Sequence, residues 1–242
     1  MAEQPPLTLR VFPAAEPLAA AVAAALIDRI GAAQRAGRVP AICLTGGTIA
    51  AAIHAHLGEL GRSAHVDWSR VDFWWGDERY VPQGAPERND TEVLATLQAL
   101  GVPATRLHAM PASTPEGLDA AAMRYDEELR AADTDEFEVL MLGIGPDGHI
   151  ASLFPGRPEL VDNGRIAVAV RDSPKPPPER ISLTLTALNQ AREVWFVASG
   201  EGKADAVAAA QRHGAVAELP ARGVRGRETT LWWIDEAAAA RL

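Results

Sequence analysis

Short apolar runs alternate with longer stretches of mixed polarity along the chain. Leu7–Phe12 alternates apolar and polar residues at the period of two expected of an opening strand. Residues 17–35 read as a helix, with Pro17 near its start and Gly37 just past its end. Ala41–Leu44 is a short buried strand, and residues 49–60 form a helix after a glycine loop. Residues 71–75 follow as a strand. Residues 91–100 form a helix with Asn89 or Asp90 as its cap. The next helix covers 115–132, with Ser113 or Thr114 as cap and Glu116 in its first turn. Val139–Leu142, 166–170, 181–185, Glu193–Ala198 and 229–234 read as strands, and 203–211 and 236–242 as helices.

Alternating strands and helices, with strands apolar on both sides, predict an α/β fold with a mostly parallel central sheet covered by helices on both faces. No internal repeat is visible. The proline-rich run 174–178 reads as a surface loop too short to serve as a linker between domains, so one domain spanning 1–242 is expected. In sheets of this kind ligands bind beyond the carboxyl ends of the strands. The loops at those ends hold clustered glycines, carboxylates and one histidine, His149.

Composition narrows the function classes. A formal net charge of -9 gives no long-range attraction to nucleic acid or anionic lipid, so neither partner is expected. An anionic substrate would need a local cationic pocket, because the remaining field is screened beyond about 8 Å. Cys43, the one cysteine, sits in an apolar run and reads as a core residue rather than a nucleophile. Residues 1–6 show no leader pattern and no apolar run is long enough to cross a bilayer, which makes the cytoplasm the expected location. No Cys/His cluster or H-E-x-x-H spacing suggests a metal, and no cofactor is expected. The pairs Trp74-Trp75 and Trp232-Trp233 read as packing residues rather than sugar platforms.

Three loops carry candidate chemistry. Thr45-Gly46-Gly47-Thr48 lies between a strand and a helix, where glycines admit close approach of an anion and the helix N-terminus offers unpaired N–H groups. Asp77-Glu78-Arg79 directly follows a very apolar strand; a run of charges is commonly solvated, but its place at the edge of the predicted site favours function. The third loop runs from Gly143 to Gly156 and holds Asp147 and His149 two residues apart among glycines. A histidine held there is a candidate general base.

Together and in this order, the three loops resemble those of the 6-phosphogluconolactonase family. The third is similar to GPDGHTASLFPG, departing from it at Ile150. Asp77, Glu78, Arg79, Val81 and Pro82 match a D-E-R-x-V-P block. The first loop keeps both glycines and two hydroxyls of S-G-G-S-T-P. Residues 180–185 with Leu188-Asn189, and Gly202-Lys203-Ala204, look like further family blocks. The resemblance covers nearly the whole chain. It implies a modified Rossmann-like fold and hydrolysis of 6-phosphogluconolactone, a small sugar-phosphate lactone, with functional coupling to glucose-6-phosphate dehydrogenase.

In that reading His149 deprotonates water. Asp147 or Asp77 fixes its tautomer. Arg79 or the backbone N–H groups between Gly145 and Gly148 stabilise the oxyanion, the alternative for Arg79 being an ion pair with Asp77 or Glu78. By the same resemblance Arg180 and Lys203 grip phosphate beside Thr45, Gly46, Gly47 and Thr48. Two other readings stand beside it: a glucosamine-6-phosphate deaminase/isomerase, whose Gly-His loop usually continues toward Asn-Glu-Pro, and a sugar-phosphate sensor without chemistry. Here the loop continues Ser152-Leu153-Phe154-Pro155, which favours the lactonase.

Overall fold

The computed structural model describes residues 7–132, 136–161 and 164–242; the leader reading of residues 1–6 lies outside them. In chain order the elements are β1 (Leu7–Phe12), α1 (Ala15–Arg35), β2 (Ala41–Leu44), α2 (Thr48–Gly61), β3 (Asp72–Trp75), β4 (Asp77–Arg79), α3 (Asn89–Ala99), β5 (Leu107–His108) and α4 (Leu118–Ala131). Then come β6 (Val139–Leu142), β7 (Ala167–Val170), β8 (Arg180–Leu183), α5 (Leu185–Leu188), β9 (Glu193–Ala198), α6 (Ala204–Ala210), β10 (Thr229–Asp235) and α7 (Glu236–Ala239).

Seven strands form a parallel sheet in the order β1-β10-β9-β6-β2-β3-β5. Neighbouring residues of a strand point to opposite faces. Trp74 and Trp75 are both fully buried, as are Trp232 and Trp233, so both faces of this sheet are covered. The tryptophan pairs are therefore packing residues, and Cys43 is buried among them in the core.

Beyond β2 the chain builds outward through β3 and β5, then returns to place β6 on the other side of β2. That reversal opens a crevice between the carboxyl ends of β2 and β6, where an open α/β sheet receives its ligand.

The sequence does not announce a second sheet. At Gly76 the chain leaves the parallel sheet and enters an antiparallel one, ordered β4-β8-β7. Gly76 N–H still donates to Leu44 O (3.0 Å), while its carbonyl accepts from Leu183 N–H (2.9 Å), so one residue joins the two sheets. The run Asp77-Glu78-Arg79 is thus a strand with two buried carboxylates, not a solvated tail.

Several boundaries differ from expectation. The helix expected from 91 starts at Asn89, and neither Asn89 nor Asp90 caps it by its side chain. Glu78 does so from β4, accepting from Asn89 N–H (2.7 Å) and Asp90 N–H (2.9 Å). The helix expected from 115 starts three residues later behind Gly117, leaving Ser113, Thr114 and Glu116 outside. Tyr80 occupies Thr114 instead, its hydroxyl bonding both the N–H and the carbonyl. Strand 181–185 ends at Leu183 because the Thr184 side chain caps α5. Helix 203–211 opens with a 3₁₀ turn, Glu201–Lys203, and α7 is a single turn capped by Asp235.

Candidate active site

A cleft of about 500 Å³ lies at the crevice between β2 and β6. Loops after β2, β6 and β9 line it, together with strand β4 and the proline-rich segment before β8. Thr45, Gly46, Gly47 and Thr48 form one wall. Asp77, Arg79, His149, Arg180 and Lys203 reach it from four other loops or strands. Asp147, the remaining candidate, is bonded to His149.

The first wall has the chemistry to receive an anion. Gly47 has φ +99°, which an L side chain rarely adopts, and this turn aims the first N–H groups of the 14-residue α2 toward the cleft. No acidic residue stands in the first turn of α2 to compete with an anion there. Thr45 Oγ1 accepts from Gly143 N–H (3.3 Å) and so ties this loop to the one after β6. Lys203 Nζ donates to Ile144 O (2.6 Å). Burial, and then the Lys175 charge, push its pKa below the ordinary lysine value, against the pull of Asp147.

The loop after β6 forms a compact turn. Gly145 N–H donates to His149 O and Gly148 N–H to Gly145 O, both at 2.9 Å. A Cβ at Gly145 would run into the His149 ring and the Asp147 carboxylate, so the histidine–carboxylate pair lies directly over that backbone. His149 Nδ1 meets Asp147 Oδ1 at 2.5 Å, and the ring packs on Phe154 at 4.5 Å between centroids. Nε2 has no protein partner among the described residues. Burial holds the His149 pKa below its ordinary 6.5; Asp147 opposes that, and Lys175 adds to it. The ring is thereby kept neutral near pH 7.

β4 and β8 supply the opposite wall. Ser152 Oγ donates to Asp77 Oδ2 (2.6 Å), and Ser152 N–H donates to Ser182 Oγ (3.1 Å). Asp77 thus fixes the segment just beyond His149, whereas Asp147 is the carboxylate that bonds the ring. Arg79 makes no ion pair with Asp77 or Glu78. Its Nη1 donates to Glu87 O (2.5 Å), its Nε is buried without a partner, and its Nη2 has no protein partner among the described residues. Burial pushes the Glu78 carboxyl up to about 7, against the pull of its backbone N–H bonds and Arg88.

Ser152, Asn89, Ser199 and Lys175 are not among the site residues expected from the sequence. Asn89 Nδ2 donates to Asp77 O (3.0 Å), and Ser199 Oγ donates to Asp235 Oδ2 (2.5 Å). Ser152 and Asn89 matter through partners 75 and 12 residues away, a separation no local pattern encodes. Lys175 did carry a signal: it is the one charged residue within the proline run 174–178.

Residues 13–233 match the model of the family described as glucosamine-6-phosphate isomerases/6-phosphogluconolactonase. The chain belongs to this family. A 6-phosphogluconolactonase of Streptomyces coelicolor is 48% identical, with 94% of this chain and 91% of that one covered. One of Mycobacterium tuberculosis is 43% identical over 97% of this chain and 98% of its own. The solved 6-phosphogluconolactonase of Trypanosoma brucei superposes with a TM-score of 0.84 at 26% identity, covering 98% of this chain and 99% of that chain. The full-length relatives place the chain among enzymes of the lactonase type. A monomeric glucosamine-6-phosphate deaminase shares the fold, with a TM-score of 0.82 at 17% identity over 97% of this chain and 100% of its own.

Proposed function

We propose that the protein hydrolyses 6-phosphoglucono-1,5-lactone to 6-phosphogluconate, the lactone being the product of glucose-6-phosphate dehydrogenase in the oxidative pentose phosphate pathway. The observation that carries the chemistry is the His149–Asp147 pair at 2.5 Å, set in the same cleft as the anion wall at Gly46, Gly47 and Thr48. With Nδ1 committed to Asp147, Nε2 takes a proton from water as the water oxygen bonds the lactone carbonyl carbon. Asp147 stabilises the resulting imidazolium.

The tetrahedral oxyanion is met by Arg79, whose Nη2 is uncommitted. The N–H groups of Gly145 and Gly148 are already given to His149 O and Gly145 O, which favours Arg79 over the backbone for this task. Collapse of the intermediate breaks the bond from the carbonyl carbon to the ring oxygen. That oxygen takes the proton back from His149, leaving the free acid, which ionises. Phosphate sits against the α2 N-terminus with Lys203, while Asp77 holds the wall in place through Ser152.

A coupled assay tests the reading: lactone generated by glucose-6-phosphate dehydrogenase is followed with and without the protein, with spontaneous opening subtracted. The expected result is acceleration that saturates with lactone. A rate equal to the spontaneous one would refute the proposal. Conversion of glucosamine 6-phosphate to ammonia and fructose 6-phosphate in a parallel assay would replace it with the deaminase reading.

A further inference from the structure

Arg180 is buried, yet its guanidinium is spent on the protein itself. Nε donates to Pro177 O (3.2 Å), and Nη2 donates to Lys175 O (3.0 Å) and Pro176 O (3.4 Å). Nη1 turns to Ser152 Oγ at 3.5 Å, with Asp77 at 4.0 Å. Three consecutive carbonyls are therefore clasped by one side chain, on a segment whose prolines already restrict φ.

The loop is closed on itself as well. Ser173 N–H donates to Pro178 O (3.0 Å) and Ser173 Oγ accepts from Lys175 N–H (3.3 Å). A surface lysine is ordinarily a mobile, solvated charge. Lys175 differs in that its backbone is pinned, it lines the cleft, and its ammonium has no partner among the described residues. It is also the only charged side chain between Ser173 and Pro178.

We propose that Lys175 is the cation that closes over the substrate's phosphate, and that Arg180 is a positioning residue that holds Lys175 there instead of gripping phosphate itself. The proposal rests on the lactonase reading above and assigns its phosphate selectivity. Lys175 lines the same cleft as Lys203 and His149, and its charge lowers the pKa of both, opposed by Asp147 at Lys203 and by Asp147 and Asp77 at His149. Two lysines lining one cleft repel each other. A phosphate between them removes that repulsion and accepts from both ammonium groups. Gly46, Gly47 and Thr48 supply neutral donors on the remaining side.

The test compares 6-phosphogluconolactone with unphosphorylated gluconolactone, and 6-phosphogluconate with gluconate as equilibrium ligands in calorimetry. For Lys175→Ala the preference in kcat/KM for the phosphorylated lactone shrinks roughly tenfold or more, the size of one charge-assisted hydrogen bond. The loss lies mainly in KM, and 6-phosphogluconate binding weakens by a similar factor. Lys175→Arg keeps much of the preference, because charge rather than shape is used. Arg180→Lys, checked for native circular dichroism, loses preference as Lys175→Ala does, and the double variant loses little more than either single one.

An unchanged preference in Lys175→Ala would make Lys175 a solvated charge and overturn the proposal. Additive losses in the double variant would return Arg180 to the phosphate. A wild-type protein that fails to open the lactone sinks the parent reading instead, while the calorimetric arm still reports on Lys175.

Discussion

His149 and His108 are both bonded to carboxylates, and their pKa values are shifted in opposite directions. His149 meets Asp147 in the cleft at 2.5 Å. His108, on the edge strand β5, meets Glu128 through Nδ1 at 2.8 Å and Asp72 through Nε2 at 3.3 Å. Burial lowers the pKa of both. At His108 the two bonded carboxylates outweigh it and raise the value to about 9, while at His149 the deeper burial prevails over the bonded Asp147 and the charge of Asp77, and Lys175 adds to it.

The His108 ring also stacks on Trp74, 3.9 Å between centroids, where a cation is favoured over the indole face. With both nitrogens taken, His108 is a structural cation tying β5 to β3 and α4. With one nitrogen taken, His149 keeps a neutral ring and an open Nε2. What separates the two rings is the balance of burial against bonded carboxylates, not the residue type.

The comparison can be broken most severely at His149. His149→Ala should lower kcat by roughly 10²-fold or more. In wild type kcat should fall on the acid side, below pH 6.5, because the His149 pKa is depressed and only the neutral ring accepts a proton. The residual activity of His149→Asn should lack that limb. The same limb in that variant would assign it to the substrate phosphate or a carboxylate.

A smaller change tests the partner. In Asp147, burial pushes the carboxyl pKa up but the bonds from His149 prevail and hold it below the ordinary value, so it stays ionised across the working range. Asp147→Asn removes that charge while keeping the shape. The expected loss is about tenfold or more in kcat, with KM little changed, since the effect lies on the imidazolium formed during reaction. A loss appearing only in KM would make Asp147 a binding residue.

The smallest effect belongs to His108 and falls on stability. Its folded pKa is raised above the unfolded value near 6.5, so the stabilisation is complete below that pH and is lost as pH rises through about 9. Melting temperature should therefore decline between pH 6.5 and 9. His108→Gln should flatten the decline by about 2–4 °C, the shift expected for about 1 kcal/mol in a chain of this size. Activity at pH 7 should stay within about twofold. Equal slopes in both proteins would show that other groups set the decline.

Most of the architecture was legible along the chain. Strands such as Val139–Leu142 and Glu193–Ala198 were placed at their true limits, because a strand buried on both faces leaves a continuous apolar run. β4 and β5 left no such mark. β4 is three charged residues and β5 two residues on a sheet edge. The starts of α3 and α4 leave no local mark, because the first N–H groups of α3 are met from afar by Glu78 and α4 turns on a glycine at position 117.

For the site, the sequence alone determined the reactive inventory. Glycines at strand ends, a histidine two residues from an aspartate and a charged run behind an apolar strand are local features that survive in one dimension. Tertiary structure alone decided their partners. It paired Asp147 rather than Asp77 with the imidazole, and it turned the Arg180 guanidinium inward onto three carbonyls. It also brought Lys175 to the cleft and gave His108 a second carboxylate. The physical reason is that protonation and hydrogen bonding depend on distance and burial, and bonded partners in the site stand up to 98 residues apart in the chain.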